Sequence, residues 1–182
     1  DIQINFTPGT HQRGMQSTLE NQAGFTMATW QHRPESYGYV RARSQDPFKH
    51  PEIQPNYLAA NTDQQVILAA IKICRKLAQT EALKPFVVEE TFPSVACQND
   101  NDLLNSAREI GQSIYHLMGT CRMGSRDDKT AVVDAELRVH GIKNLRVIDA
   151  SIMPTMVSAN LNAAVMMIAE KGADMILKEQ NH

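Results

Sequence analysis

Three prolines at short intervals, in Asp46-Pro47, His50-Pro51 and Gln54-Pro55, separate the opening strand candidates of this chain from its first helix. A residue before proline is pushed out of the helical region, and proline donates no backbone hydrogen bond, so this stretch has to run extended. Ahead of it, Ile2, Ile4 and Phe6 alternate with polar neighbours until Pro8-Gly9 stops the run. Residues 24–30 and 39–43 are two further strand candidates, with a turn in Pro34-Glu35-Ser36-Tyr37-Gly38 between them. Arg41 and Arg43 alternate with Val40 and Ala42, so one face of the last strand is expected to be wet. Behind the prolines the period becomes helical. Thr62 with Gln65 makes a capping box, and Ile67, Ala70, Ile71, Cys74, Leu77 and Ala78 form an apolar stripe in which Cys74 reads as a small core residue.

Residues 83–95 hold two prolines and no clear period, so an irregular segment is expected there, with a short strand candidate at 86–88. A second helix follows, with Asp100 as its candidate cap and Leu103, Leu104, Ala107 and Ile110 on one face up to Gly111. Residues 131–134 and 145–149 read as short strands around a turn at Gly141. The last helix is expected over 160–177. It is apolar around much of its girth in Val165, Met166, Met167 and Ile168, and so expects cover on most sides. The opening residue is Asp1 and the first six residues already alternate as a strand, which reads as a piece of a longer protein.

The formal net charge is −2 and the 18 Lys and Arg are scattered, so nothing draws the chain to a phosphate backbone and nucleic acid is not an expected partner. The longest run near the end without a strongly polar residue, 163–169, is too short to cross a bilayer, and no leader pattern opens the chain. A cytoplasmic protein is expected, with at most a peripheral contact to the inner membrane. Cys74, Cys97 and Cys121 are odd in number and widely spaced, which argues against a disulfide framework and against a paired-ligand zinc site; no metal is expected. No G-x-G-x-x-G follows a strand and no P-loop pattern occurs, so any nucleotide-phosphate cradle must lie outside these residues.

Chemistry concentrates in the tail. His116 lies in Tyr115-His116-Leu117-Met118-Gly119-Thr120-Cys121-Arg122-Met123-Gly124, where two glycines let backbone approach a ligand closely. An imidazole is the side chain suited to accept a hydroxyl proton near neutral pH. Asn160 stands at the head of the expected last helix, where asparagine caps a first turn and free N–H groups favour a polarised oxygen. With Asn162 beside it, there is more amide than one cap requires. Asp149 is either a turn cap or a partner for a ligand hydroxyl. His11, His32, His50, His140 and His182 offer less, and no Ser, His and Asp set can be assembled.

These blocks, in order, resemble a family. Tyr115-His116-x-x-Gly119-Thr120-Cys121-Arg122-Met123-Gly124, Ala131-Val132-Val133-Asp134, Asn144-Leu145-Arg146-Val147-Ile148-Asp149-Ala150-Ser151-Ile152-Met153-Pro154 and Asn160-x-Asn162-Ala163 look like the carboxy-terminal part of the glucose–methanol–choline oxidoreductases, nearest the choline dehydrogenase-like branch. Looser similarity in residues 1–6, in Gly38-Tyr39-Val40-Arg41 and in Pro51-Glu52-Ile53-x-Pro55-Asn56-Tyr57-Leu58 extends it over nearly the whole chain. The resemblance implies an α+β fold, with a substrate module of antiparallel sheet and flanking helices over 1–130. A carboxy-terminal strand and helix over 131–182 would then complete an FAD module whose amino-terminal part lies elsewhere.

By position, His116 matches the catalytic base that accepts the alcohol proton, and Asn160 matches the second catalytic position. Asp149, Ala150 and Asn162 fall where the family lines the FAD. The sequence departs from the pattern at Tyr37, Leu117, Ala159 and Ala164, where arginine, proline, glycine and proline are frequent. An aromatic cage for choline has few candidates among five Phe, four Tyr and one Trp.

The expected whole is therefore an FAD-dependent dehydrogenase of a primary alcohol, served by an external electron acceptor. The chain alone is expected to be inactive and either to self-associate through its last helix or to leave that segment disordered. Two rivals stand beside this: a non-catalytic binding or assembly module that keeps the fold, and a cyanohydrin lyase of the same family.

Overall fold

A computed structural model describes residues 1–12 and 15–180; His182 lies outside the described residues. The chain divides into two compact units, Asp1–Gly38 with Pro55–Ser113 and Tyr39–Gln54 with Ile114–His182.

In the first unit the alternating opening becomes β1 (Ile2–Thr7). Two short strands follow, β2 (His11–Gln12) and β3 (Met15–Leu19), and then β4 (Thr26–Gln31). β1 and β4 pair antiparallel from Ile2 opposite Gln31 to Thr7 opposite Thr26, while β2 and β3 make a second ribbon whose register shifts between His11 and Gln12. That second ribbon is an addition to the sequence reading, because strands this short carry too few residues for a period to show.

The central helix α1 (Asn61–Ala78) packs against β1, β4 and a second helix α2 (Asp100–Ile110). Leu68, Leu103 and Leu104 are buried at the centre, with Leu58, Ile67, Ile71 and Cys97 around them. Cys74 is half-buried, and burial pushes its thiol pKa up, as suits a packing residue.

Both expected helix caps are corrected. The Thr62 and Gln65 box does not form: α1 starts after Ala60 with no side-chain cap, and the Ala60 N–H goes to Ser36 Oγ (3.0 Å). Tertiary partners have replaced the local ones. In α2 the cap is Asn99, whose side chain accepts from Asp102 N (2.9 Å), one residue ahead of Asp100. Between the helices no strand forms at 86–88; a 3-10 turn, Lys84–Phe86, stands there instead. Arg75 holds this segment with a bidentate contact to Glu90 (2.9 Å) and a hydrogen bond to the Ser94 carbonyl (3.2 Å).

In the second unit β5 (Tyr39–Arg41) pairs antiparallel with β6 (Glu52–Gln54), a strand hidden inside the proline-rich stretch. The Tyr39 hydroxyl donates to Glu52 (2.9 Å), and the Arg41 guanidinium lies 4.3 Å from the Tyr39 ring centre. Residues 131–149 do not form the two expected strands. They make isolated bridges only, Met123 to Val133, Val133 to Val139 and Arg138 to Arg146, with Gly141 at φ +79° in the turn. Successive turns here interrupt any ladder, so the Val-rich pattern is spent on burial rather than on pairing.

The last helix α3 begins at Asn162 and runs to Gln180. It buries Ile168 with Leu161, Ile152, Met153, Val133 and Leu137. Gly172 is buried against Ile148, whose Cγ2 would stand 2.5 Å from any Cβ placed there, so the glycine sets how close α3 comes. No helix among the described residues is long and apolar enough to cross a membrane.

The far end of α3 is held by charge. Glu179 Oε1 accepts from Arg138 and from Arg146 (2.7 Å), and Arg146 Nε also donates to the Glu136 carbonyl (3.1 Å). The two guanidinium groups pull the Glu179 carboxyl down to about 2. A carboxylate whose pKa is lowered on folding adds stability above its unfolded pKa and loses it as pH falls toward the folded value. Acidifying from about pH 5 to about pH 2 is therefore expected to loosen the end of α3, read as faster amide exchange at residues 174–180. Glu179→Gln should already be loose at neutral pH and show no further change across that window.

Candidate active site

The segment carrying His116 is fixed by its backbone rather than by its side chains. Gly119 N donates to the Ala150 carbonyl (3.4 Å), Cys121 N to Ser151 (2.9 Å) and Met123 N to Ile152 (2.7 Å). On the other side the Arg122 carbonyl accepts from Val132 N (2.8 Å), and Gly124 N donates to Val133 (3.0 Å). His140 Nε2 donates to the Gly124 carbonyl (3.1 Å), so a histidine discounted in the sequence closes the end of the segment. Met118 and Met123 pack on the core that holds Ile152 and Leu161. Gly119 has φ +84°, and a Cβ there would lie 3.4 Å from the Met153 carbonyl. Glycine is needed for the conformation, while the contact is only snug.

The residues before this anchored stretch are the ones with chemistry. His116 is half-buried, and its imidazole makes no hydrogen bond among the described residues. Tyr115 adopts φ +63° with its side chain 86% exposed. Such a backbone angle is uncommon for an aromatic residue and has no sequence signature, so the reading from sequence passed over it.

Asp149, left open between two roles, is a turn cap here: Oδ1 accepts from Ser151 N (2.7 Å) and Ser151 Oγ (2.5 Å) and so shapes the 3-10 turn Ala150–Ile152. Ala150 stands in that turn, and α3 packs against it. Asn160 does not head the helix. It is exposed, two residues ahead of α3, where the buried Leu161 takes the anchoring position and accepts from Val165 N (2.9 Å). Asn162 is the first residue of α3, also exposed. Neither asparagine side chain has a hydrogen-bond partner among the described residues.

Around this scaffold, Asp128 sits 3.9 Å from Arg122, and donation from the Thr130 hydroxyl and N–H, with the Arg122 charge, holds its carboxyl below the usual range. Arg122 Nε is buried with no partner among the described residues. A cavity of about 920 Å³, bordered by Arg126, Arg138, His140, Lys143 and Arg146, includes neither His116 nor Asn160. All three cysteines are free, and no cluster of metal-ligating side chains occurs among the described residues.

Comparison with known proteins adds to this geometry. Residues 34–169 match the family model of the GMC oxidoreductases. Human mitochondrial choline dehydrogenase is 44% identical over 177 residues, 97% of this chain and 30% of the relative. An oxygen-dependent choline dehydrogenase of Escherichia coli is 42% identical over 97% of this chain and 31% of its own length. The chain thus spans about 30% of the length of the curated relatives it matches. Among solved structures, formate oxidase of Aspergillus oryzae superposes with a TM-score of 0.81 at 31% identity, covering 89% of this chain and 28% of that one. A pyridoxine 4-oxidase from "Mesorbium loti" gives 0.75 at 30% identity, covering 88% and 30%. Small antiparallel ribbons with flanking helices, together with these neighbours, make the fold α+β.

Proposed function

The chain belongs to the GMC oxidoreductases, and from that premise we propose that it is the carboxy-terminal part of an FAD-dependent alcohol dehydrogenase in which His116 is the base and Asn160 the partner of the substrate oxygen. One observation carries the reading. The segment after His116 is hydrogen-bonded onto residues 150–152, and Ile152 shares its core with Leu161, next to Asn160, so one packed body carries two polar side chains that have no partner among the described residues. Oxidising an alcohol requires a proton to leave oxygen as hydride leaves carbon. An imidazole without a hydrogen-bond partner accepts that proton, and the Asn160 amide donates to the oxygen as its negative charge grows, without competing for the proton.

The residues also suit the cofactor. Asn162 is exposed at the start of α3, where the first N–H groups of a helix favour a phosphate, and Ala150 lies in the turn packed beside it. When bound, FAD would supply the hydride acceptor. Asp149, Ala150 and Asn162 are the residues proposed to border it, the rest of its cradle coming from an amino-terminal module. In this division residues 1–130 serve the substrate and 131–182 complete the FAD module. Met166, Met167 and Leu177 remain exposed on α3, consistent with a face that the missing module covers and that self-associates when the chain is alone.

A choline-like primary alcohol is the proposed substrate class, because the curated relatives are choline dehydrogenases. The exposed Tyr115 ring next to His116 offers an aromatic face to a quaternary ammonium.

The test is an anaerobic visible spectrum of the complete protein, followed while choline or its uncharged isostere 3,3-dimethylbutanol is added. Bleaching of a flavin band at lower choline than isostere concentration supports the reading. A colourless protein overturns it in favour of a binding module; a coloured protein that does not bleach yet releases cyanide from a cyanohydrin points to the lyase.

A further inference from the structure

We infer that Asp149 is a positioning residue for the His116 segment, an inference that rests on the proposed role of His116. The Asp149 carboxylate is committed through Oδ1 to the N–H and hydroxyl of Ser151. Those two bonds shape the turn Ala150–Ile152, and its three consecutive carbonyls each take one N–H from the segment after His116, at Gly119, Cys121 and Met123. His116 has no hydrogen bond of its own among the described residues, so what fixes it is the backbone that follows. The turn is therefore the template against which the His116 segment is laid, and Asp149 shapes the template. Its carboxylate acts on the reaction through residues 150–152 and 119–123 without touching substrate.

Hydrogen exchange of the complete protein, read by mass spectrometry with and without substitutions, tests this apart from any activity. Asp149→Ala removes the acceptor. Amides in 117–124 should exchange about tenfold faster, the loss of roughly one hydrogen bond's worth of protection, while α1 and α2 stay unchanged. Asp149→Asn keeps an oxygen that can accept from Ser151 and should restore protection. In parallel, Asp149→Ala should lower kcat with little change in KM, and Asp149→Asn should recover most of it.

Unchanged exchange in 117–124 for Asp149→Ala overturns the inference. So does faster exchange spread evenly over the chain, which is loss of fold rather than of position. Failure of the His116 assignment leaves the exchange pattern in place and removes only the effect on kcat, so the two ideas fail separately.

Discussion

His116→Ala in the complete protein is expected to slow anaerobic flavin reduction by an alcohol by about 10²- to 10⁴-fold, roughly 3–5 kcal/mol of transition-state stabilisation. The loss should fall on the rate and hardly on substrate affinity, since proton acceptance matters only once the O–H bond is breaking. The surrounding segment should survive the change: Gly119, Cys121 and Met123 are tied by main-chain bonds that need no imidazole, and Met118 still packs on the core. The flavin band before substrate is accordingly expected to be unaltered. Added imidazole should recover part of the rate if it reaches the vacated space. A variant within threefold of the parent protein would dismiss His116 as the base, and the cavity bordered by His140 would then become the place to look.

The legible parts of this molecule are those in which local pattern and tertiary demand agree. β1, β4, α1 and α2 stand close to where the sequence puts them, and in the two helices Leu68, Leu103 and Leu104 form one buried cluster, as a single apolar face on each requires. What was illegible has physical causes that differ from place to place. Asn99 takes the cap expected of Asp100, Ser36 ties the start of α1 in place of Thr62, and Leu161 anchors α3 in place of Asn160. Asn99 and Asp100 are neighbours of equal capping chemistry, whereas Ser36 acts through a tertiary contact and Leu161 through burial, which no local pattern displays. The valine-rich 131–149 reads as two strands yet lies across a series of turns, because burying Val133 and Leu137 needs apolar side chains but no ladder.

At the candidate site the sequence singles out residues without showing what holds them. Asp149 looked equally suited to capping and to ligand binding, and only coordinates reveal the Ser151 contacts. Tyr115 and His140 had no distinguishing pattern at all, since a positive φ and a ring-to-carbonyl bond leave no mark on local sequence.

Asp63→Ala is expected to be the most damaging single change to the first unit, lowering stability by about 2–4 kcal/mol. Asp63 is only 3% exposed, in the first turn of α1, and its two oxygens accept from Glu35 N (2.9 Å), Ser36 N (2.8 Å) and Ser36 Oγ (2.5 Å). Burial works against the charge, but the Ser36 hydroxyl and the two N–H donors outweigh it and hold the carboxyl below its ordinary value. The helix dipole adds in the same sense.

Alanine leaves three donors without an acceptor at a place where Ser36 also receives the Ala60 N–H, so the start of α1 and the segment before β5 should loosen together. Asparagine should rescue only in part: its oxygen in the place of Oδ2 still serves both Ser36 donors, while its NH₂ faces the Glu35 N–H. A lowered folded pKa means that the contribution is full above the unfolded pKa near 3.8 and fades as pH falls below it. Urea unfolding of the complete protein at pH 7 should therefore separate the parent from Asp63→Ala widely, while below about pH 3 the two curves should draw together. A constant gap across that range would mean that the charge is not what joins residues 35–36 to α1, and that the side chain acts there by shape alone.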